Sequence, residues 1–177
     1  TTHIVNPLAE AQGRLGADVR VLHVAKPKAP SIEPDAAWAT SVRFELSLPF
    51  DNPGFSWSLA RALPAEIARC DVLHVHAIWN FPTWWAMRSA MRAGKPYVVA
   101  PQGSFDPWAL RQNRWGKQIY GALTEVPLLR SASCMQALTE KEVAQFRSGG
   151  LHGPASIIPN GVPAANTETE RQPGALA

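Results

Sequence analysis

The chain has few cysteines and no long apolar run, and each shortage excludes a class of protein. Only two of its 177 residues are cysteine, Cys70 and Cys134, so the disulfide framework of a small secreted domain is excluded. No apolar stretch approaches the roughly 18–20 residues that a membrane-spanning helix requires. We therefore expect a globular protein of a reducing, cytoplasmic compartment, with any membrane contact limited to peripheral attachment at the inner face.

Three common catalytic signatures are also missing. The sequence has no Gly-x-Gly-x-x-Gly turn, no Walker-type phosphate loop and no Gly-x-Ser-x-Gly nucleophile elbow. The sequence therefore lacks the usual signatures of hydride transfer and of simple nucleotide hydrolysis. A serine hydrolase that uses Ser104 and His76 stays as an alternative, although the residues around Ser104 lack the flanking pattern of the elbow.

The composition is that of a globular domain, with 46% hydrophobic and 18% charged residues. The formal net charge is only +3, but residues 88–130 carry seven basic side chains and two acidic ones. This stretch is either a set of solvated helix surfaces or a basic surface that faces phosphate groups or anionic lipid. Nucleic acid is not favoured as a partner, because no known binding motif accompanies the charge.

Short β-branched runs alternate with amphipathic segments, which is typical of an α/β domain with a Rossmann-like, doubly wound parallel sheet. The first segment is a predicted helix over 6–15, with Asn6 as its cap and Pro7 at its first position. A doubly wound sheet normally opens with a strand, so we expect the first strand to be missing. Predicted strands are 18–25, 43–48, 72–77, 97–100, 133–138 and 155–158, and further predicted helices are 58–69, 82–93, 107–111, 115–130 and 139–148.

Two histidines lie in the predicted strand 72–77. Because side chains alternate along a strand, His74 and His76 share one face. They could begin a metal site, but the sequence offers no third and fourth ligand at matching spacing. A packing role is favoured for His74, whereas His76 lies nearer the carboxyl end of the strand, where ligands bind α/β sheets. Trp79, in the aromatic cluster that follows, could form one wall of a ligand pocket.

A second candidate site follows the predicted strand 97–100. Residues 101–104 are turn formers, Asp106 is suited to cap a helix, and Pro107 fits the first helical position. Turns from a strand into a helix lie at the carboxyl edge of a parallel sheet. We therefore expect this turn to border the same ligand site as His76.

Five segments in order carry a family resemblance, and they span 73–82, 94–103, 106–110, 137–142 and 158–162. Their sequences are LHVHAIWNFP, GKPYVVAPQG, DPWAL, ALTEKE and IPNGV. Together they resemble the amino-terminal domain of family-4 glycosyltransferases, of the kind that build bacterial exopolysaccharide or lipopolysaccharide. The resemblance covers residues 3–163.

Members of that family are retaining, metal-independent enzymes with the two-domain GT-B fold. The resemblance implies that residues 1–163 are the acceptor-binding half and that the carboxyl-terminal donor domain is absent. Residues 164–177 show no apolar period, so we expect a linker or disordered tail there. The full-length protein would then be a hexosyl-type transferase without a cofactor, and this piece alone is expected to be inactive. Its substrates would be a nucleotide-sugar, bound mostly by the missing domain, and a glycan or lipid-linked acceptor.

The resemblance also implies site residues. His76 matches a family histidine near the cleft, and Gln102 stands where relatives commonly carry His or Arg. Both are catalytic candidates, but an amide cannot take up a proton, so no acid–base role is expected at position 102. The implied substrate contacts are Trp79, Asn80, Gly103, Ser104, Asp106, Arg111, Arg114 and Lys117, the last three toward an acceptor phosphate or a membrane, with Asn160 and Gly161 as the interdomain hinge.

Two further alternatives stay open at this point. One is a non-catalytic, Rossmann-like module that binds a sugar or a lipid-phosphate. The other is a different GT-B enzyme, such as a sugar-nucleotide epimerase or a phosphorylase.

Overall fold

The computed structural model describes residues 2–27, 30, 33–47, 54–105 and 124–161. Asp106, Arg111, Arg114 and Lys117 lie outside the described residues, as do the predicted helix 107–111, residues 115–123 of the predicted helix 115–130, and the predicted tail 164–177. The described elements are α1 Thr2–Arg14, β1 Arg20–Ala25, β2 Thr40–Glu45, α2 Trp57–Arg69, β3 Leu73–His76, α3 Phe81–Ala93, β4 Tyr97–Ala100, α4 Val126–Arg130, β5 Cys134–Ala137, α5 Glu140–Ser148 and β6 Ala155–Ile157.

The described strands are all parallel and form two hydrogen-bonded sheets. β1 and β2 pair along their full length, from Arg20 beside Thr40 to Ala25 beside Glu45. The other four strands pair in the order β3–β4–β5–β6. This confirms the predicted α/β class with parallel strands and intervening helices. Because parallel strands end at the same edge, the loops after β3, β4 and β5 lie next to one another.

The boundaries of α2 and α3 follow from local chemistry. Ser56 caps α2, since its hydroxyl accepts a hydrogen bond from the Leu59 amide at 3.3 Å. The buried residues of α2 recur every four positions, which gives the helix one apolar face that packs into the core. Gly94 ends α3 in the left-handed conformation at φ 65°, which confirms the predicted stop.

The core lies between the four-stranded sheet and its helices. Met87 of α3, Val99 of β4 and Leu129 of α4 are almost completely buried and belong to one apolar cluster. The Tyr97 hydroxyl lies in the same core and donates a hydrogen bond to the Leu128 carbonyl at 2.5 Å. Burial raises the pKa of Tyr97 to about 12. This core fixes the carboxyl ends of β3, β4 and β5 relative to one another.

Two predicted boundaries are wrong. α1 begins at Thr2, so Asn6 is not its cap but an interior residue that is only 6% exposed. A proline as near to a helix start as Pro7 removes one backbone hydrogen bond, which the helix tolerates because Asn6 and Ala9 bury one of its faces. β2 spans Thr40–Glu45 instead of 43–48, because its pairing with β1 starts three residues earlier than its apolar pattern indicated.

Candidate functional site

The candidate site lies where the loops after β3 and β4 meet. The amide of Ala77 donates to the Ala100 carbonyl at 2.9 Å and so holds the two loops together. The described non-glycine residues with positive φ are Ala77 at 68°, Trp79 at 68° and Gln102 at 52°, and all three lie here. Such residues cost about 1–3 kcal/mol each and persist only where the surrounding structure holds them. The backbone at the carboxyl edge of the sheet is therefore strained and is kept in place by its surroundings.

His76 and Gln102, the two catalytic candidates, are in direct contact. Gln102 Nε2 and His76 Nδ1 lie 3.0 Å apart. The ring of His74 lies against that of His76, with centroids 4.2 Å apart, so the prediction that both share one face is confirmed. Burial, with a smaller contribution from His74, lowers the pKa of His76 to about 4. His76 is therefore neutral near pH 7 and can accept a hydrogen bond at Nδ1.

Glu142 joins the turn after β4 to the end of β5. Its Oε1 accepts from the Gly103 amide at 2.7 Å and its Oε2 from the Leu138 amide at 2.6 Å. Thr139 caps α5 as predicted, since its hydroxyl accepts from the Glu142 amide at 3.3 Å. Glu142 stands at the capping-box position, and one of its oxygens bonds the residue before the cap, Leu138, while the other crosses to the turn after β4. This reach across the sheet edge could not be read from the sequence.

Glu125 supports the loop after β3. It is completely buried, and its Oε1 accepts from the Trp79 amide at 2.8 Å. Its Oε2 has no hydrogen-bond partner within the part of the chain that the structure describes. Burial raises the pKa of Glu125 to about 7, and the bond from Trp79 lowers it by less. An isolated acidic residue before the apolar run Val-Pro-Leu-Leu is the sequence signal that could have singled it out.

The polar groups of three other predicted contact residues form hydrogen bonds within the site itself. Trp79 Nε1 donates to the Ser104 carbonyl at 3.4 Å, which brings these two candidates together. The Asn80 carboxamide oxygen caps α3 by accepting from the Thr83 amide at 3.0 Å. The Ser104 hydroxyl donates to the Pro101 carbonyl at 2.6 Å. Because Ser104 is bonded to its own turn and His76 is bonded to Gln102, the structure does not support the serine-hydrolase alternative.

A cavity of about 360 Å³ opens on the same side of the fold. It lies between the carboxyl end of β1, the segments before and after 48–53, and the start of α3. Its volume falls within the range of small-molecule sites. Its lining residues are Val24, Ala25, Lys26, Leu46, Gly54, Asn80 and Pro82.

The predicted hinge follows β6. The Ile158 amide donates to the Ala137 carbonyl at 2.8 Å, and the Gln136 side chain donates to the Ile158 carbonyl at 3.0 Å. Asn160 and Gly161 therefore leave the sheet beside the end of β5. Within the described ranges, no group of three or more His, Cys, Asp or Glu side chains is placed to hold a metal ion.

Comparison with known families gives the class of the chain. A family described as "Glycosyl transferase 4-like domain" matches residues 1–161. The chain belongs to this glycosyltransferase family. The match covers the β3–β4 edge, the cavity and both buried glutamates. Membership implies that the protein takes part in binding a sugar donor and an acceptor.

No curated protein matches the sequence of this glycosyltransferase domain. None of the helices in the described ranges is long and apolar enough to cross a membrane.

Proposed function

We propose that this chain is the acceptor-binding half of a retaining glycosyltransferase that transfers a sugar from a nucleotide-sugar to a glycan or lipid-linked acceptor in bacterial cell-surface polysaccharide synthesis. The observation that carries the proposal is the pair of His76 and Gln102, bonded at 3.0 Å where β3 and β4 end. Asn80, from the loop after β3, lines the cavity. Family membership supports the transferase class. In this proposal a second, carboxyl-terminal domain provides most of the contacts to the nucleotide-sugar.

An aromatic group beside the cavity supports the binding of a sugar ring. Phe55 follows the cavity residue Gly54, and its ring lies 4.8 Å from Trp57 and 4.5 Å from Phe81. Trp57 is 61% exposed, which is high for so large an apolar side chain. The C–H face of a sugar packs well on an exposed indole, while its hydroxyl groups need the polar groups of the cavity. We therefore place the acceptor sugar between the cavity and Trp57.

The chemistry of the site favours positioning over proton transfer. His76 has a pKa of about 4, far from the value that suits a general base at pH 7, and Gln102 cannot take up a proton. In the proposed reaction the bond from the anomeric carbon to the donor phosphate breaks, and the bond to the acceptor oxygen forms on the same face. The leaving phosphate takes the proton of the acceptor hydroxyl. His76 and Gln102 orient the reactants by hydrogen bonds, and the proposal needs no metal ion.

Saturation-transfer NMR on this chain tests the acceptor site. The probes are the methyl glycosides of glucose, galactose and mannose, which need no donor domain. We expect saturation of their ring protons with the parent chain and its loss in Trp57→Ala. Trp38→Ala is the matched control, because Trp38 is 40% exposed and packs on Arg14, away from the cavity. Absence of saturation with all three probes, or equal loss in both variants, would contradict the proposal.

The basic stretch of the sequence suggests how a lipid-linked acceptor is recruited. We propose that Arg111, Arg114 and Lys117 bind the acceptor phosphate or the anionic membrane surface. Flotation with vesicles that contain anionic phospholipid, at low salt, tests this. The variant with alanine at these three positions should no longer float with the vesicles. A control variant with alanine at Arg14, Arg61 and Arg69 should still do so. No retention of the parent chain would remove this part of the proposal.

A further inference from the structure

The position of Glu142 in the fold is unusual for a residue in the first turn of a helix. A carboxylate there is well placed to bond the free amides of its own helix. One Glu142 oxygen does so, because it accepts a bond of 2.6 Å from Leu138, directly before the Thr139 cap, whereas the other accepts a bond of 2.7 Å from Gly103, which follows β4. The residue is only 7% exposed, so both bonds are largely shielded from water. Glu142 thus clamps two neighbouring loops at the candidate site.

The clamp acts directly on the backbone of Gln102. The amide that Glu142 binds belongs to the peptide between Gln102 and Gly103, and both residues have positive φ, at 52° and 78°. Glycine adopts this region freely, but glutamine does so at a cost. The bond to Glu142 fixes the orientation of this peptide. It therefore determines where the Gln102 side chain leaves the turn.

The Gln102 side chain in turn determines the tautomer of His76. An amide nitrogen is a donor only, so the 3.0 Å contact requires His76 Nδ1 to be the acceptor. A neutral imidazole carries one proton, which must then lie on Nε2. The His74 ring, 4.2 Å away, packs against the imidazole and restricts its rotation.

We propose that Glu142 is a positioning residue that acts through Gln102 to hold the proton of His76 on Nε2, so that His76 offers a hydrogen-bond donor at the carboxyl edge of the sheet. A group that meets this nitrogen must be an acceptor, such as a sugar hydroxyl oxygen or a phosphate oxygen. The nature of that ligand rests on the proposed function. The tautomer and its dependence on Glu142 do not, and they can be measured without any sugar.

Long-range ¹H–¹⁵N NMR of the histidine side chains tests the proposal at neutral pH. The parent chain should show one tautomer for His76, protonated at Nε2. In Glu142→Gln one acceptor oxygen becomes a donor, which should release the turn and give a mixture of tautomers. Glu140→Gln is the matched control, because Glu140 is exposed in the same helical turn. It should keep the single tautomer.

Gln102→Leu provides the second variant, because it removes the donor to Nδ1 and leaves Glu142 in place. It should also give mixed tautomers of His76. If Glu142→Gln does not fold, this variant still tests whether Gln102 sets the tautomer. A proton on Nδ1 in the parent chain would overturn the proposal. A single Nε2 tautomer retained in a folded Glu142→Gln would overturn the role of Glu142. Failure of glycoside binding with the expected tautomers would refute only the proposed acceptor site.

Discussion

Replacing Glu125 by glutamine should change how the stability of the domain depends on pH. Burial raises the pKa of Glu125 from 4.5 to about 7, so the folded protein disfavours the charged form. At about 1.4 kcal/mol for each pKa unit, the charged form costs the fold about 3–4 kcal/mol. The neutral form is fully favoured below pH 4.5. The stability that the fold gains from a neutral Glu125 is lost as the pH rises from 4.5 through 7.

Glu125→Gln does not titrate, and its amide oxygen can still accept the bond from Trp79. The free energy of unfolding of the parent chain, relative to the variant, should therefore fall by about 2–3 kcal/mol between pH 5 and pH 8. Urea denaturation of both proteins at each pH measures this difference. His76 titrates in both proteins, so its contribution cancels. A change below about 0.5 kcal/mol, or a change of equal size in the exposed-site control Glu140→Gln, would refute the reasoning.

Three further predictions follow from single contacts. The His76 ring should titrate near pH 4 by NMR. Because its pKa is lowered in the folded state, the protein should lose stability as the pH falls from 6.5 to 4. A titration midpoint near 6.5 would show that the ring is not desolvated. Asn80→Ala should cost about 1 kcal/mol in urea denaturation, because it removes the cap of α3, whereas Asn80→Asp should cost little; equal losses would speak against capping. Tyr97→Phe should destabilise the fold by about 1 kcal/mol, because it removes the buried hydrogen bond to the Leu128 carbonyl, which keeps only the Ser131 amide as a donor. An unchanged denaturation midpoint would contradict this.

Local sequence patterns were sufficient for most of the fold. β-Branched runs placed the strands, and Gly94 and Thr139 marked a helix end and a helix start that the structure confirms. The alternation of strands with helices predicted parallel pairing. The period of two along a strand predicted that His74 and His76 would share a face, and their rings are in contact. Each of these features depends on residues close together in the chain.

The start of α1 and the range of β2 were predicted wrongly, for a shared reason. Local signals favoured Asn6 as a cap and a strand from residue 43. The burial of Asn6 and Ala9 and the pairing of Thr40 with Arg20 decided otherwise. Tertiary contacts of this kind outweigh capping preference and local apolar pattern, because they involve more buried surface and more hydrogen bonds.

The sequence by itself determined the α/β class, the order of the elements, the shared face of the two histidines and the turn that carries Gln102. Only the tertiary structure decided which groups complete the site. Glu125 lies 46 residues from Trp79, and Glu142 lies 39 residues from Gly103. A carboxylate binds whichever amide the fold places within its reach. Contacts over such distances along the chain depend on the packing of the helices against the sheet, which no local pattern of residues encodes.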